Sequence, residues 1–433
     1  MPITPESDDS KPFFFPEFIY RFLPERHQLD DVLDQRHFSR KRRFTLVVTI
    51  ALLLNMVRPG LRDGYQKVID RFFSQARDDD PQRAPDQAAF VGARKKLPLA
   101  VFQELFEKGV TAGQALAATG KALLWKGMRV FAIDGTKKNL PDSEQLRDYF
   151  GAPRGAHFPQ LITAVLFDVL AKLPINFVRG PFNTPERDLA MELLEDLGPG
   201  DLLIMDRGFP AYWLFHEIIL QGIELLVRLP KDGKFKEVRA FLKSRTRDGI
   251  VTLKPPKDLL KEQPDLPPLT LRVLKIRLPK AKDPLILITT LRSRERFSLE
   301  ELCDLYHLRW REEEFFKAVK GHLQAEHFHG RSVLFVDQEL IATYLYYLLT
   351  RIMVLETAST YQIPQENLET KAALLAVSRY LDRLWLASSL HQCASLLDRC
   401  LQEISWRRYR PRPGRSYPRR SKSHIGKWAL KWR

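Results

Sequence analysis

The sequence predicts a mixed α/β core set between two helical regions, and three observations carry that prediction. Two short apolar runs, 130–133 and 202–205, have the length and composition of buried strands, and each ends in an aspartate. Between them lie two further strand-like runs and one helix start, a β-β-β-α-β order. On either side, apolar side chains recur at helical spacing, from residue 29 to about 120 and again over 338–359 and 366–404.

Taken in order, residues 1–24 are rich in Pro and Phe and read as a flexible start. Residues 25–120 read as a small helical domain with two basic edges. Arg40-Lys41-Arg42-Arg43 precedes the apolar run 45–57, and Arg94-Lys95-Lys96 precedes Pro98. The acidic, Pro-containing stretch 76–85 between them reads as a loop. Such clusters are most often solvated surface; in a chain this basic, Arg40, Arg42, Arg43, Lys95 and Lys96 are candidate contacts to a DNA backbone.

The texture changes at Met128. The strand over 130–133 runs into Asp134-Gly135-Thr136-Lys137-Lys138, which suits a metal ligand at a strand's mouth with Lys137 and Lys138 ready for phosphate, although a strand ending in Asp-Gly is also an ordinary turn. Two more strands are expected over 158–170 and 173–178. Thr184-Pro185-Glu186-Arg187 signals a helix start, with Thr as N-cap and Pro at the first position, and that helix should run to 197. The strand over 202–205 leads into Asp206-Arg207-Gly208-Phe209; a helix over 211–221 and a strand over 223–229 follow. Strand mouths in such sheets collect functional residues along one edge.

Residues 231–296 read as a β-rich insertion, dense in Lys, Arg and Pro, with an alternating segment over 269–278. Directly after it, 297–323 carries no Pro and no Gly before Gly321, and is expected to be one helix. At about 100° per residue, with Glu313 at zero, Leu305, Leu308, Phe315, Val319 and Leu323 fall between about −80° and −160°, a core stripe. Tyr306, Arg309 and Lys320 lie within about 40° of Glu313 on the same wheel. Glu312 points into the apolar stripe and Glu314 toward solvent, which leaves Glu313 at the seam among cations. An ordinary helix with i,i+4 ion pairs shows the same pattern.

His322, His327 and His329 match no metal-ligand spacing and have no nearby Cys. The end, 406–433, holds eleven Lys or Arg and no acid, interleaved with Trp406, Tyr409, Tyr417, Trp428 and Trp432, and reads as a basic tail. Overall, 69 Lys+Arg against 53 Asp+Glu give a net charge of +16, which favours a polyanionic partner, with nucleic acid the commonest. Three cysteines without a CxxC pair argue against a disulfide scaffold or zinc ribbon and for a reducing, cytoplasmic compartment. No signal peptide is evident at the start, and the apolar run 45–57 is too short to span a bilayer, so no membrane role is expected.

Asp134, Asp206 and Glu313 are thus the candidate catalytic acids. Oxygen ligands from separate elements, without His or Cys, suit Mg²⁺ or equivalently Mn²⁺. Two such ions can activate a water or a 3′-hydroxyl and stabilise the leaving oxygen of a phosphodiester.

The spacing Tyr306-x₂-Arg309-x₃-Glu313-x₆-Lys320 resembles the Tyr-Arg-Glu-Lys signature of the insertion-sequence-four family of bacterial DDE transposases. Asp134-Gly135-Thr136 and Asp206-Arg207-Gly208-Phe209 resemble that family's first two acidic motifs, and the likeness spans about 85–420. The resemblance implies a ribonuclease H-like catalytic core (121–230) with a β-rich insertion (231–296) before the last catalytic helix (297–330). A helical DNA-binding domain (25–120) would precede it, and a helical C-terminal region (331–405) would follow. It implies cut-and-paste transposition, with end nicking, hairpin formation and resolution, and strand transfer; the alternatives are a catalytically silent DNA-binding relic or regulator, or a stand-alone ribonuclease H-like nuclease with the same metal chemistry. It further implies Asp134, Asp206 and Glu313 as ligands of two Mg²⁺ ions, with Tyr306, Arg309 and Lys320 gripping end DNA and Trp310 stacking near a displaced base. Lys137, Lys138 and Arg207 would lie beside them. The implied partners are double-stranded DNA, as terminal inverted repeats and as target, and a second copy in a DNA-bound homodimer, in the bacterial nucleoid.

Overall fold

The computed structural model describes residues 15–40, 42–57, 64–76, 84–119, 124–278 and 283–409. Most of the loop expected at 76–85 and most of the basic tail expected at 406–433 lie outside the described residues, as do residues 1–14 of the flexible start expected at 1–24; its remainder is not loose, since Phe15–Tyr20 is helical and Phe15, Ile19, Phe22 and Leu23 are buried. The chain forms two compact units, one built mainly from residues up to 112 and from 334 onward, the other mainly from 113–321 with 325–333.

The first unit is helical. It contains α1 (Phe15–Tyr20), α2 (Leu46–Met56), α3 (Tyr65–Ala76), α4 (Gln87–Arg94), most of α5 (Leu99–Thr119), and the later helices α13 (Val333–Thr360), α14 (Thr370–Trp385) and α15 (Leu390–Trp406). Thr45 starts α2 by accepting from the Val48 N–H at 3.2 Å, and Asp86 starts α4 by accepting from the Ala88 N–H at 2.6 Å. Helix α2 is buried on nearly every side, as its unbroken apolar run requires. Helix α13 is long and apolar enough to cross a membrane, yet 94% of its most apolar window is buried inside the protein. Arg94, expected in a basic edge, is instead fully buried, with Nη1 donating to Glu339 and to the Tyr65 hydroxyl, both at 2.9 Å. Its neighbours Lys95 and Lys96 are exposed.

The second unit is organised on an eight-stranded sheet: β1 (Val130–Asn139), β2 (Gln160–Asp168), β3 (Leu173–Pro181), β4 (Leu202–Met205), β5 (Glu224–Arg228), β6 (Asp248–Leu253), β7 (Leu269–Ile276) and β8 (Leu285–Thr289). The order is β3-β2-β1-β4-β5-β8-β7-β6. Strands β1, β4 and β5 are parallel neighbours, while β2 pairs antiparallel with β1 and β3 antiparallel with β2. This is the ribonuclease H-like α/β core the sequence led us to expect. The β-rich insertion does not stand apart: β8 pairs antiparallel with β5, so β6, β7 and β8 extend the same sheet. Strand β4 and the apolar segments of β1 and β5 are buried, and helices α7 (Glu186–Leu193) and α8 (Tyr212–Leu220) pack Leu189, Leu193, Phe215 and Ile218 into the core cluster around Phe131, Leu203 and Leu225.

Several elements differ from the sequence reading. Strand β1 continues six residues past Ile133, because Asp134 to Asn139 pair residue by residue with β2, from Asp134↔Val165 to Asn139↔Gln160. A helix between β1 and β2, α6 (Glu144–Phe150), was not foreseen; Ser143 caps it by accepting from Leu146. Helix α7 has Pro185 rather than Thr184 at its N-cap position and no side-chain cap. The stretch 297–323 is not one helix but α11 (Leu299–His307), α12 (Trp310–Lys317) and a wide turn over Ala318–His322. The small helices α9 (Lys236–Lys243) and α10 (Lys257–Glu262) sit within the insertion.

Candidate active site

The parallel register brings two acids to one level. Strand β1 pairs with β4 from Val130↔Leu202 to Ala132↔Ile204, so Asp134 and Asp206 each follow the last paired position by two residues. Neighbouring strands lie about 4.8 Å apart, and equal spacing past a shared register keeps two side chains side by side. Both carboxylates bond their own turns: Asp134 Oδ1 accepts from the Gly135 N–H at 2.9 Å, and Asp206 Oδ1 from the Gly208 N–H at 2.7 Å. Gly208 leaves room for this, since a Cβ there would lie 3.0 Å from Asp206 Oδ1.

The third acid arrives on α12. At the junction of α11 and α12 the backbone tightens: the Leu308 N–H bonds to Leu305 O at 3.0 Å and the Arg309 N–H to Tyr306 O at 3.2 Å, a 3₁₀-type turn. Arg309 is 8% exposed there. Its Nη1 donates to Asp134 Oδ2 at 3.2 Å and its Nη2 to Glu313 Oε1 at 2.7 Å. One guanidinium thereby holds two of the three sequence-predicted acids. Burial lowers the guanidinium's proton affinity, but Tyr306, Asp134 and Glu313 outweigh it and the pKa is raised. For Asp134 the balance runs the other way: burial lifts its carboxyl to about 6, with Asp206 adding to the rise and Arg309 opposing it. Tyr306, 5% exposed, has its hydroxyl pKa raised by burial, with Arg309 opposing and Asp206 adding.

Two further carboxylates lie against this cluster. Glu312 is fully buried, as the helical wheel implied, yet neither of its oxygens has a hydrogen-bond partner. Burial raises its pKa well above the ordinary range, and the charges of Asp134 and Asp206 add to the rise. The wheel could place Glu312 inward but could not reveal which side chains it would meet. Glu186, read from the sequence only as part of a helix start, occupies the first turn of α7 and faces Gly135.

The cations are distributed unevenly. Lys320 Nζ donates to Lys137 O at 2.9 Å and pairs with Glu326 at 3.4 Å. Lys137 and Arg207 are exposed, and Trp310 is 39% exposed with Lys317 Nζ 5.9 Å from its ring centre. Lys138 corrects the sequence reading. It is fully buried, donates to Thr163 Oγ1 at 3.1 Å, and burial lowers its pKa to about 7. Because β1 keeps its alternation beyond Ile133, Lys137 and Lys138 cannot both face solvent. In the first unit, Arg40, Arg42, Arg43 and Lys96 line one cavity of about 640 Å³ together with Arg36, Phe38 and Phe44.

The donor set suits a hard divalent cation: carboxylate oxygens only, with no thiolate or imidazole among them. Among the described residues no three acidic, His or Cys side chains are drawn together as a ready-made metal cage. Arg309 instead bonds one oxygen each of Asp134 and Glu313.

Residues 125–349 match the family model described as the transposase DDE domain, just over half of the 433 residues. The chain belongs to that family. The DDE transposase is 27% identical over 354 residues to the transposase InsG for insertion sequence element IS4 of Escherichia coli (strain K12), an alignment covering 79% of this chain and 75% of the relative. This agrees with the IS4 type expected from the Tyr306–Lys320 signature. It is also 28% identical over 90 residues to a putative transposase InsZ of the same organism, covering 20% of this chain and 30% of that one. Among solved structures, the cryo-EM structure of the piggyBac transposase synaptic complex with hairpin DNA aligns over 93% of this chain and 87% of that chain, with a TM-score of 0.46 and 12% identity.

Proposed function

We propose that this DDE transposase cuts and joins DNA by metal-dependent phosphoryl transfer, moving an insertion sequence by end nicking, hairpin formation and resolution, and strand transfer. The observation that carries the reading is the convergence of Asp134 and Asp206 at one edge of the sheet, with Glu313 tied to Asp134 through Arg309. Family membership supports transposition as the process.

Asp134, Asp206 and Glu313 are the residues that would hold Mg²⁺ or Mn²⁺, two ions in all. When bound, the metal supplies Lewis acidity that activates a water or 3′-hydroxyl and offsets charge on the leaving oxygen. Arg309 has a second task. Once released from the carboxylates, its planar fork of donors is suited to bidentate contact with a phosphate of the end DNA. Tyr306 and Lys320 flank it, exposed Trp310 offers a stacking face for a displaced base, and Lys137 and Arg207 extend a cationic rim. In the first unit, Arg40, Arg42, Arg43 and Lys96 share one cavity and Lys95 is exposed, an arrangement suited to double-stranded DNA of the terminal repeats. Lys138 is left out of the DNA-binding set because it is buried. We further assign a DNA-bound homodimer pairing two ends, acting at the nucleoid in the bacterial cytoplasm.

The test is Mg²⁺-dependent nicking of DNA carrying the element's own ends, followed by an assay for integrated product. Asp134→Ala, Asp206→Ala and Glu313→Ala should each abolish nicking while retaining end binding. Cut ends without any joined product would make the protein a nuclease rather than a transposase.

A further inference from the structure

Gly135 has an unusual neighbour. A Cβ built on it would lie 2.7 Å from Glu186 Cδ and 2.8 Å from Glu186 Oε1, closer than real Cβ contacts come. The glycine that follows the first catalytic aspartate therefore leaves open the space that the Glu186 carboxyl occupies. Glu186 is half-buried, and among the described residues it makes neither a hydrogen bond nor an ion pair. Burial and Asp206 raise its pKa while the exposed Lys137 lowers it, and Glu186 in turn raises that of Asp134. A bare carboxylate packed against two others is unfavourable unless a positive charge completes the group.

A second observation points the same way. Glu312 is fully buried, has no hydrogen-bond partner at either oxygen, and feels the charges of Asp134 and Asp206. Arg309 hydrogen-bonds Asp134 and Glu313, whereas Glu312 feels its charge without a hydrogen bond and Glu186 feels, among cations, only the exposed Lys137. The carboxyl groups gathered at the mouths of β1 and β4 thus outnumber the three sequence-predicted acids.

Resting on the metal-dependent reading above, we propose that Glu186 is a fourth acidic side chain of the metal centre, admitted beside Asp134 by Gly135 and engaged directly or through water by one of the two ions. Its place in the first turn of α7 serves this role, since the helix fixes the carboxylate over Gly135. The same location has a purely structural use, because an acid in a helix's first turn is favoured by the helix dipole. The test must separate the two.

Mn²⁺ binding to the full-length protein without DNA, followed by electron paramagnetic resonance, reads the metal centre independently of activity. Wild type should take up two ions. Glu186→Gln should weaken the lower-affinity ion about tenfold or more, the size found when groups around metal ligands are removed, while the melting temperature of the metal-free protein stays unchanged. Gly135→Ala, whose added Cβ must displace the Glu186 carboxyl, should reproduce that loss, and adding it to Glu186→Gln should deepen the loss little. An unchanged isotherm for Glu186→Gln, alongside lost binding in Asp206→Asn, overturns the fourth-acid assignment and leaves the three-acid reading standing. An unchanged isotherm in Asp206→Asn as well overturns both. A lowered melting temperature with unchanged Mn²⁺ affinity assigns Glu186 to the helix terminus alone.

Discussion

Arg309 and Asp134 lie 175 positions apart in sequence, and the Arg309 Nη1 donates to Asp134 Oδ2 at 3.2 Å. The same guanidinium holds Glu313 at 2.7 Å. Two carboxylates held close together repel each other in this partly buried setting, and the Arg309 guanidinium between Asp134 and Glu313 offsets that repulsion.

Arg309→Ala should therefore act twice. Removing a buried partner of two carboxylates should destabilise the metal-free protein by about 1–3 kcal/mol, measured by denaturant unfolding. In DNA assays it should slow the hairpin step more than it weakens first binding. Equal losses in a gel shift and a hairpin assay would count against a phosphate-gripping role.

Glu312 and Glu313 should separate cleanly. Glu313→Ala is expected to eliminate nicking with end binding retained. Glu312→Met replaces a fully buried carboxyl lacking hydrogen bonds with an apolar chain of similar length. It should raise the stability of the metal-free protein by about 1–3 kcal/mol. If Glu312→Ala were inactive and Glu313→Ala active, the third acid would have to be reassigned to Glu312.

Lys137 and Lys138 should differ in the same way. Lys137→Ala, at an exposed position, should lower the slope of log affinity against log salt by about 1. Lys138→Met, at a buried one, should leave that slope unchanged. A shallower slope for Lys138→Met would bring that side chain back into the interface.

Asp168 provides a pH test away from Asp134, Asp206 and Glu313. Its carboxyl is raised from 3.8 to about 6 by burial, with the Ala171 and Leu170 N–H groups that it accepts at 2.8 and 2.9 Å opposing the rise. Between those values the folded protein keeps a proton that the unfolded chain has released. The stabilising contribution is thus full below about pH 4 and is lost as pH rises through about 6, by up to about 3 kcal/mol. Asp168→Asn should remove that part of the fall in melting temperature between pH 4 and 6; an unaltered slope would show that Asp168 titrates normally.

Much of the architecture was legible because strands and helices announce themselves by period and composition. The apolar runs ending at Ile133 and Met205, the hairpin pair between them, and the mostly helical ends all formed as read. Where local pattern was the only guide, it erred in specific ways. Strand β1 outran its apolar stretch because β2 supplied hydrogen bonds to polar residues as well, and that same extension turned Lys138 inward. The 297–323 pattern held through a break at Leu308–Arg309, since a 3₁₀-type turn keeps helical dihedrals and leaves no Gly or Pro in the sequence to mark it.

The sequence by itself determined the element types, the chain's strong positive charge, and the acids at the ends of two apolar runs, together with a signature that names a family. Those are properties of neighbours along the chain. Only the tertiary structure decided that Asp134 and Asp206 share one level of a parallel register, that Arg309 rather than solvent meets Asp134 and Glu313, and that Glu186 fills the space above Gly135. Such contacts join residues tens to hundreds of positions apart, where strand pairing and the angle of a helix junction set the distance and no local periodicity records it.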